Sequence, residues 1–191
     1  PFSPIRFQEL MVSPNSMKSK ILRLLDNEIK NAKGGREAWV KIKINHITDI
    51  DMVKKLYEAS QSGVKIDIVI RGNCSIVPHV PKYSENIHCV GIIDRYLEHA
   101  RILIFCNGGK NKYYLGSADW MPRNLINRIE VYSPVYDTDI QADLLRTIEY
   151  GLKDTLNGRI VDGSGSNNFR EGIPFRSQEA LYNCYINENE G

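Results

Sequence analysis

The stretch WVKIKINHITDIDMVKKLYEASQSGVKIDIVIRG, residues 39–72, decides the fold. Residues 39–45 alternate apolar and basic side chains, a pattern typical of a strand with one buried face. Residues 49–63 follow with helical spacing, an aspartate at the start and Gly63 at the end. Residues 64–70 then form a second apolar strand. A strand, a helix and a strand in this order predict a crossover connection in a parallel sheet, and therefore an α/β fold.

The ends of these two strands provide the first clue to a site. Asn45 follows the first strand and Arg71 the second, and ligands of parallel sheets bind outside the carboxyl ends of the strands. We therefore expect both side chains to face one crevice. The turn 72–75 after Arg71 would add exposed backbone N–H groups to an anion site. An ordinary turn with a surface arginine is the alternative, and for this motif alone it is favoured.

The remaining chain extends the sheet and adds helices. Ser13 or Ser16 would cap a first helix that Gly34 ends in a left-handed conformation, and Asp49 or Asp51 would cap the second. The segment CNGGKNK carries an Asn-Gly-Gly hairpin signal between two strands. We predict strands at 87–93, 101–105, 112–117 and 128–135, a long helix at 139–156, and a terminal helix from about Ser177.

Composition limits the class of protein. The chain has 191 residues, of which 42% are hydrophobic and 25% charged, so it is long enough to bury a sizeable core and we expect one domain. No apolar run reaches the roughly 20 residues that span a bilayer, which excludes a transmembrane segment. The net charge of +2 gives no global field that would attract polyanions, so any anion site must be local.

The cysteines and the first residues bear on the cellular setting. The four cysteines are widely spaced and form no CxxC pair, so we expect reduced thiols in a cytosolic protein: Cys74, Cys89, Cys106 and Cys184. The chain begins PFSPIRFQEL, without an initiator methionine or a leader pattern. We expect it to be a piece of a longer protein.

The stretch DRYLEHARILIF, residues 94–105, contains a candidate phosphate site. His99 and Arg101 are two residues apart, so on a strand they share one face, and Ser117 ends the paired strand of the hairpin. A guanidinium offers a planar fork of donors, and an imidazole exchanges protons near neutral pH. A histidine at a strand edge beside a solvated arginine is the alternative, and spacing alone slightly favours it.

Other polar motifs are explained more easily by structure. In DWMPRNL, Asp119 would cap a turn started by proline and Trp120 would fill the core, while Arg123 and Asn124 lie around that turn. The other histidines have no ligand partner at metal-site spacing, so we expect no metal site: His46, His79 and His88. No P-loop or GxGxxG motif is present.

Four stretches in order, KIDIVIRGNCSIVP, DRYLEHARILIF, YYLGSADWMPRN and FRSQEALYNCY, resemble the C-terminal catalytic domain of the polyphosphate kinase family. The resemblance covers nearly the whole chain. It implies a phospholipase D-like fold, a mixed sheet flanked by helices, with residues 1–160 as the body of the domain. Residues 161–191 would be a flexible segment and the C-terminal helix of the same domain.

The resemblance also implies roles for individual residues. His99 matches the second active-site histidine, which contacts ATP phosphates as proton donor or transition-state stabiliser, and Arg71 matches an arginine that binds the nucleotide phosphates. Arg101 stands where the phospholipase motif has lysine, and Cys106 where it has aspartate, which argues against a lipid hydrolase. Ser117 and Arg123 have a place in the motif without a settled role. The phosphorylated histidine lies on a preceding domain, so this chain alone would be inactive.

The function that follows is reversible transfer of the ATP γ-phosphate to inorganic polyphosphate, with Mg²⁺ accompanying ATP and its protein ligands outside this chain. Partners would be ATP or ADP, polyphosphate and preceding domains, with a homo-oligomer suggested by family members and no nucleic acid. We expect a cytoplasmic location and leave association with a membrane surface open. Two alternatives remain, namely a phospholipase D-like phosphodiesterase or nuclease, and a non-catalytic polyanion-binding module.

Overall fold

The computed structural model describes residues 7–189, and in this part of the chain one mixed sheet of eight strands runs through the molecule. The strands are β1 (Met11–Ser13), β2 (Trp39–Ile44), β3 (Lys65–Ile70), β4 (Ile87–Ile92), β5 (Arg101–Phe105), β6 (Lys112–Gly116), β7 (Glu130–Val135) and β8 (Gly158–Ile160). Their spatial order is β1-β7-β6-β5-β2-β3-β4-β8. The strands β2, β3 and β4 are parallel, and the other neighbours pair antiparallel.

The α-helices of the described residues cover both faces of this sheet. They are α1 (Met17–Lys33), α2 (Ile50–Gln61), α3 (Thr138–Lys153) and α4 (Ser177–Asn189). Helices α1 and α2 bury their apolar faces in one core, α3 packs in a second core on the opposite face, and α4 contacts α3. The predicted mixed sheet flanked by helices is confirmed. Within residues 7–189, no helix combines the length and the apolar character that crossing a membrane requires.

The strand β2 lies at the centre of the sheet and is covered on both faces. Val40, Ile42 and Ile44 face the core under α1 and α2, as the alternation predicts. On the other face, the Lys43 side chain is only 6% exposed, because its ammonium pairs with Glu98 at 2.8 Å. The expectation that one face of this strand is open to solvent is therefore wrong at Lys43.

The amino end of helix α2 is capped by one of the two aspartates that the sequence offers. The Asp49 carboxylate accepts the N–H groups of Asp51 and Met52 at 3.1 and 3.2 Å, so Asp49 is the cap. Gly63 follows the helix with φ +91°, and the helix ends before it as predicted. Lys18 of α1 donates to the Asp49 carboxylate at 2.8 Å and so links the two helices.

The predicted ends of α1 are wrong in detail. Ser13 lies in β1, and Ser16 precedes the helix without accepting a capping hydrogen bond through its hydroxyl. Gly34 has φ −86°, and its N–H still bonds to carbonyls of the last turn. The left-handed residue is Gly35 at φ +69°, because the helical hydrogen bonding continues through Gly34.

Two short strands were not expected from the sequence. The strand β1 pairs with β7 at one edge of the sheet and β8 pairs with β4 at the other. Each has three residues, which is too short for a recognisable alternation of apolar and polar side chains. The predicted hairpin of β5 and β6 is confirmed, with the turn Asn107–Gly109 between them. All four cysteines lie in the described residues and none forms a disulfide, as expected.

The segment after β8 folds back onto the sheet and onto α3. Arg159 stacks on the ring of Phe169 at 3.3 Å, and Phe175 packs edge-on against Tyr150 at 5.4 Å. The terminal helix predicted from about Ser177 is confirmed as α4. Residues 1–6, 190 and 191 of the predicted domain ranges lie outside the described residues. The division at residue 160 stays a prediction.

We expect Asp49→Ala to lower the free energy of unfolding by about 1–2 kcal/mol, because two amide N–H groups of α2 lose their acceptor. Asp51→Ala is the control, since Asp51 also pairs with Lys18 but is 59% exposed, and a clearly smaller loss is expected because solvent screens the pair. Urea unfolding of the chain followed by circular dichroism measures both. Equal losses in the two variants would contradict the capping role.

Candidate functional site

The carboxyl ends of β2 and β3 form a crevice, as the sequence predicts. Asn45 and Arg71 both line it, and the connection from β4 to β5, residues 93–100, closes one side. We call residues 93–100 the histidine loop because His99 lies in it. Arg71 donates from Nη1 to the Glu98 carbonyl at 2.6 Å. The two side chains that could bind phosphate are those of Arg71 and His99. Arg71 at the end of β3 contacts the histidine loop directly, and His99 belongs to that loop.

Glu98 connects the histidine loop to the sheet. Its carboxylate accepts from the buried Lys43 ammonium, and its carbonyl accepts from Arg71. With the Asn45 amide oriented so that both of its ends are satisfied, Asn45 also donates to the Glu98 carbonyl at 3.2 Å. One residue of the loop is therefore held by the ends of both β2 and β3.

Arg101 at the start of β5 forms a buried ion pair with Asp119. Its Nε and Nη2 reach the two carboxylate oxygens at 3.3 and 3.2 Å, and the Asp119 side chain is only 6% exposed. Asp119 also accepts the N–H groups of Asn45 and His46 at 3.0 and 3.2 Å. The expectation that Asp119 caps the following turn is wrong, because its carboxylate is committed to β2 and Arg101. Trp120 is fully buried, as expected.

His99 is exposed and lies just before β5, so it is part of the loop and not of the strand as predicted. Arg101 donates from Nη1 to the His99 carbonyl at 2.7 Å, and the same nitrogen lies 3.4 Å from His99 Nδ1. The backbone of His99 is thus fixed by the arginine while the imidazole faces solvent. This placement leaves the ring accessible to a ligand.

Ser117 and Arg123 lie at the end of β6 and in the turn that follows. The Ser117 hydroxyl donates to the Glu130 carboxylate and accepts from the Val131 N–H at 3.2 Å. Asn124 donates to the other Glu130 oxygen at 2.8 Å, so Glu130 joins Ser117 to this turn. Arg123 is exposed, and within residues 7–189 its guanidinium has no hydrogen-bond partner.

The turn after Arg71 does not present the expected row of backbone donors. Gly72 N–H bonds to the Asn45 carbonyl, Asn73 N–H to His46 Nδ1, and Ser75 N–H to the Ile47 carbonyl. The backbone of this turn thus agrees with the favoured alternative of an ordinary turn, because the chain after β2 accepts these donors.

Gly72 packs directly against His46. A Cβ at residue 72 would lie 2.3 Å from His46 Cε1, so the turn requires glycine at this position. Because its Nδ1 accepts the Asn73 N–H at 2.9 Å, His46 acts as a structural residue beneath the turn.

The carboxylates at this edge do not fit a magnesium site. Glu98, Asp119 and Glu130 each bind protein donors, namely Lys43, Arg101 and the pair Ser117 and Asn124. Among the described residues, no group of three or more His, Cys, Asp or Glu is arranged to hold a metal ion. Mg²⁺ is a hard cation that prefers free carboxylate, phosphate and water oxygens.

Sequence reasoning missed the residues that hold the site together. In the sequence, Lys43 is one of two basic residues of an alternating strand, which predicts that it is exposed. Glu98 and Glu130 have no neighbouring pattern that distinguishes them from ordinary surface carboxylates. Lys43 lies two residues before Asn45, on the same side of the strand, and this spacing is the signal that could have placed it beneath the crevice. Nothing near Glu98 or Glu130 in the sequence identifies their partners.

The sequence comparisons with known proteins point to the same family. The sequence profile described as polyphosphate kinase C-terminal domain 2 matches residues 10–179. A polyphosphate kinase of Vibrio vulnificus (strain YJ016) is 45% identical over 190 residues, and one of Escherichia coli (strain K12) is 40% identical over 196. The alignments cover 98% and 100% of this chain but 27% and 28% of the relatives. The chain thus spans about a quarter of their length.

Solved structures give the same result at the level of the fold. The crystal structure of polyphosphate kinase from Porphyromonas gingivalis matches with a TM-score of 0.93 and 38% identity, over 98% of this chain and 29% of that chain. A phospholipase D family member, Nuc from Salmonella typhimurium, matches with a TM-score of 0.58 and 16% identity, over 81% and 97% of the two chains. At this identity the second match shows the fold alone, and the predicted phospholipase D-like fold is confirmed.

We expect Asp119→Ala to lower the free energy of unfolding by about 3–5 kcal/mol, because Arg101 then lacks its partner in a nearly buried site. Asp67→Ala is the control. Asp67 pairs with Lys41 at 3.2 Å on the same sheet but is 33% exposed, and the expected loss is below about 1 kcal/mol. Urea unfolding of both variants measures the difference, and a loss below 1 kcal/mol in Asp119→Ala would refute the pairing argument.

Proposed function

Since the chain belongs to the polyphosphate kinase family, as its C-terminal domain 2, we propose that it provides the phosphate-binding part of an active site. The proposed reaction is reversible transfer of the ATP γ-phosphate to inorganic polyphosphate through a phosphohistidine on a preceding domain. The observation that carries the proposal is the Arg71 guanidinium, which has no carboxylate partner in the described residues and contacts the histidine loop at Glu98, the residue beside the exposed His99.

Arg71 is suited to bind a phosphate. Its one protein hydrogen bond in the described residues runs from Nη1 to the Glu98 carbonyl, so most of its N–H donors remain for a ligand. That single bond fixes the direction of the guanidinium. A planar fork of donors matches two phosphate oxygens at once, which favours an ATP phosphate group as the ligand.

His99 is suited to act on the transferred group. An imidazole held beside phosphate oxygens donates a proton or stabilises the charge that develops during transfer. Fixing the backbone through Arg101 limits the positions that the ring can reach. The attacking histidine belongs to the preceding domain in this proposal, so the chain alone is expected to be inactive.

The other candidate ligands have weaker support. The Arg101 donors are largely used by Asp119, Asn45 and the His99 carbonyl, so Arg101 would reach a phosphate through few N–H groups. The Ser117 hydroxyl proton is directed to Glu130. Arg123 is exposed at the same edge of the sheet. Binding of ATP phosphates by these three residues stays a prediction.

We propose that Mg²⁺ enters with ATP and that its protein ligands lie outside the described residues, since the carboxylates of this edge are already paired. ATP or ADP, polyphosphate and the preceding domains are the proposed partners, and a homo-oligomer in the cytoplasm is the proposed setting. Peripheral association with a membrane stays open.

A phosphodiesterase of the phospholipase D type is less well supported. The position of the phospholipase aspartate holds Cys106, which is fully buried at the far end of β5 and directs its thiol to the Glu37 carbonyl. The position of the phospholipase lysine holds Arg101, whose fork is paired with Asp119. A polyanion-binding module is the remaining alternative, and it is distinguished by whether polyanion binding survives the loss of His99.

We expect Arg71→Ala in the full-length enzyme to weaken ATP binding by about 1.5–3 kcal/mol, or about 10- to 150-fold in Kd, because a charge-assisted contact is lost. Titration calorimetry with a non-hydrolysable ATP analogue measures the Kd. Arg36→Ala is the control, since Arg36 is exposed before β2 at the opposite edge of the sheet. An unchanged Kd in Arg71→Ala would remove Arg71 from the site.

We expect His99→Ala in the full-length enzyme to lower kcat by about 10²–10⁴-fold, the usual range for a group that transfers protons. Steady-state ATP-dependent polyphosphate synthesis measures kcat, and circular dichroism checks the fold. His79→Ala is the control, because His79 is exposed and lies near His88 toward the amino end of β4. A folded His99→Ala variant with near-normal kcat would overturn the catalytic role.

A further inference from the structure

The histidine loop is anchored by two separate parts of the chain. Its end at Glu98 is held by the sheet through Lys43 and Arg71. Its middle has no regular secondary structure, and Tyr96 and Leu97 are 52% and 71% exposed. The contacts that hold this middle part come from the start of α4, about 80 residues further along the chain. The structure of the loop therefore depends on the C-terminal segment.

Gln178 forms a reciprocal pair with the backbone of the loop. Its side-chain oxygen accepts the Tyr96 N–H at 2.8 Å, and its side-chain nitrogen donates to the Tyr96 carbonyl at 2.8 Å. Gln178 is 6% exposed. A carboxamide offers a donor and an acceptor side by side, which neither a carboxylate nor an ammonium does. The pair thus fixes both polar groups of a residue three positions before His99.

Arg176 provides a second contact to the same loop. Its Nε and Nη2 donate to the Asp94 carboxylate at 3.0 and 2.7 Å, and the Asp94 side chain is only 3% exposed. The hydrogen bond from Arg176 holds the pKa of Asp94 below its ordinary value, so the pair is charged at neutral pH. A bidentate pair of this kind fixes orientation as well as distance.

The start of α4 is itself fixed in place. The fully buried Asp154, after α3, accepts the N–H and the hydroxyl of Ser177 at 2.7 and 2.6 Å. Its other oxygen accepts the N–H groups of Asn157 and Gly158 before β8. The residues Arg176 and Gln178, on either side of Ser177, are thereby held against the body of the domain.

We propose that Gln178 is a positioning residue for His99, acting through the backbone of Tyr96, and that the start of α4 sets the reactive geometry of the histidine loop. This inference rests on the proposed function of His99. Side chains of the sheet hold the loop at Glu98, whereas the N–H and the carbonyl of Tyr96 both bond to Gln178. Catalytic groups displaced by about 1 Å lose a large part of their effect, on the order of 10²-fold.

The test is a double-mutant cycle in the full-length enzyme. Gln178→Ala and Gln178→Glu are made in the wild-type and in the His99→Ala background, and kcat and KM for ATP are measured in polyphosphate synthesis. Gln178→Glu has nearly the same shape but turns a carboxylate oxygen toward the Tyr96 carbonyl. It keeps the test valid if Gln178→Ala fails to fold, and thermal unfolding followed by circular dichroism reports the fold of each variant.

In the wild-type background we expect kcat to fall by about 10-fold or more with KM for ATP changed less than about 3-fold, because the loop end that contacts Arg71 keeps its own anchors. In the His99→Ala background the same substitutions should lower kcat by less than about 2-fold, because the ring to be positioned is gone.

Gln141→Ala is the control. Gln141 also donates to a backbone carbonyl, that of Val135 at 2.8 Å, but at the start of α3, and normal kcat is expected.

Two results would overturn the inference while leaving the proposed function intact. One is normal kcat in folded Gln178 variants when His99→Ala is impaired. The other is an equal loss in both backgrounds, which would show a general structural effect. Normal kcat in His99→Ala itself would instead overturn the proposed function, and the positioning role with it.

Discussion

The carboxylate of Asp119 holds the ends of two central strands together, and the candidate site depends on it. It accepts two N–H groups after β2, from Asn45 and His46, and it pairs with Arg101 at the start of β5. A buried carboxylate is stable only when its charge is paired and its oxygens are hydrogen-bonded. Because Arg101 is fixed in this way, its remaining donor can hold the carbonyl of His99.

The two arginines at this edge of the sheet have different surroundings. Arg101 makes a nearly complete set of protein contacts, so its charge is balanced within the fold. Arg71 makes a single contact to the Glu98 carbonyl and has no carboxylate partner in the described residues. A guanidinium that lacks a protein anion can bind an external one, whereas a paired guanidinium mainly sets the positions of its neighbours. In the proposed site, Arg101 would therefore orient the neighbouring residues and Arg71 would bind the phosphate.

The sequence by itself determined the α/β class, the crossover unit of β2, α2 and β3, and the meeting of Asn45 and Arg71 at one crevice. Hydrophobic periodicity, an aspartate cap and the geometry of parallel strands act over short stretches of chain, so they can be recognised without coordinates. The resemblance carried by DRYLEHARILIF and its companion motifs also identified the family. His99 could be selected from these stretches, although its position before the strand could not.

Only the tertiary structure decided how the site is built. Lys43 and Glu98 are 55 residues apart, Asn45 and Asp119 are 74 apart, and Tyr96 and Gln178 are 82 apart. Local propensity does not encode such pairings, because they depend on strand order, register and the return of the chain after β8. The turn after Arg71 shows the same limit: its backbone donors look available in the sequence, yet Asn45, His46 and Ile47 accept them. The physical reason is that burial commits polar groups to whichever partner the fold brings within hydrogen-bonding distance.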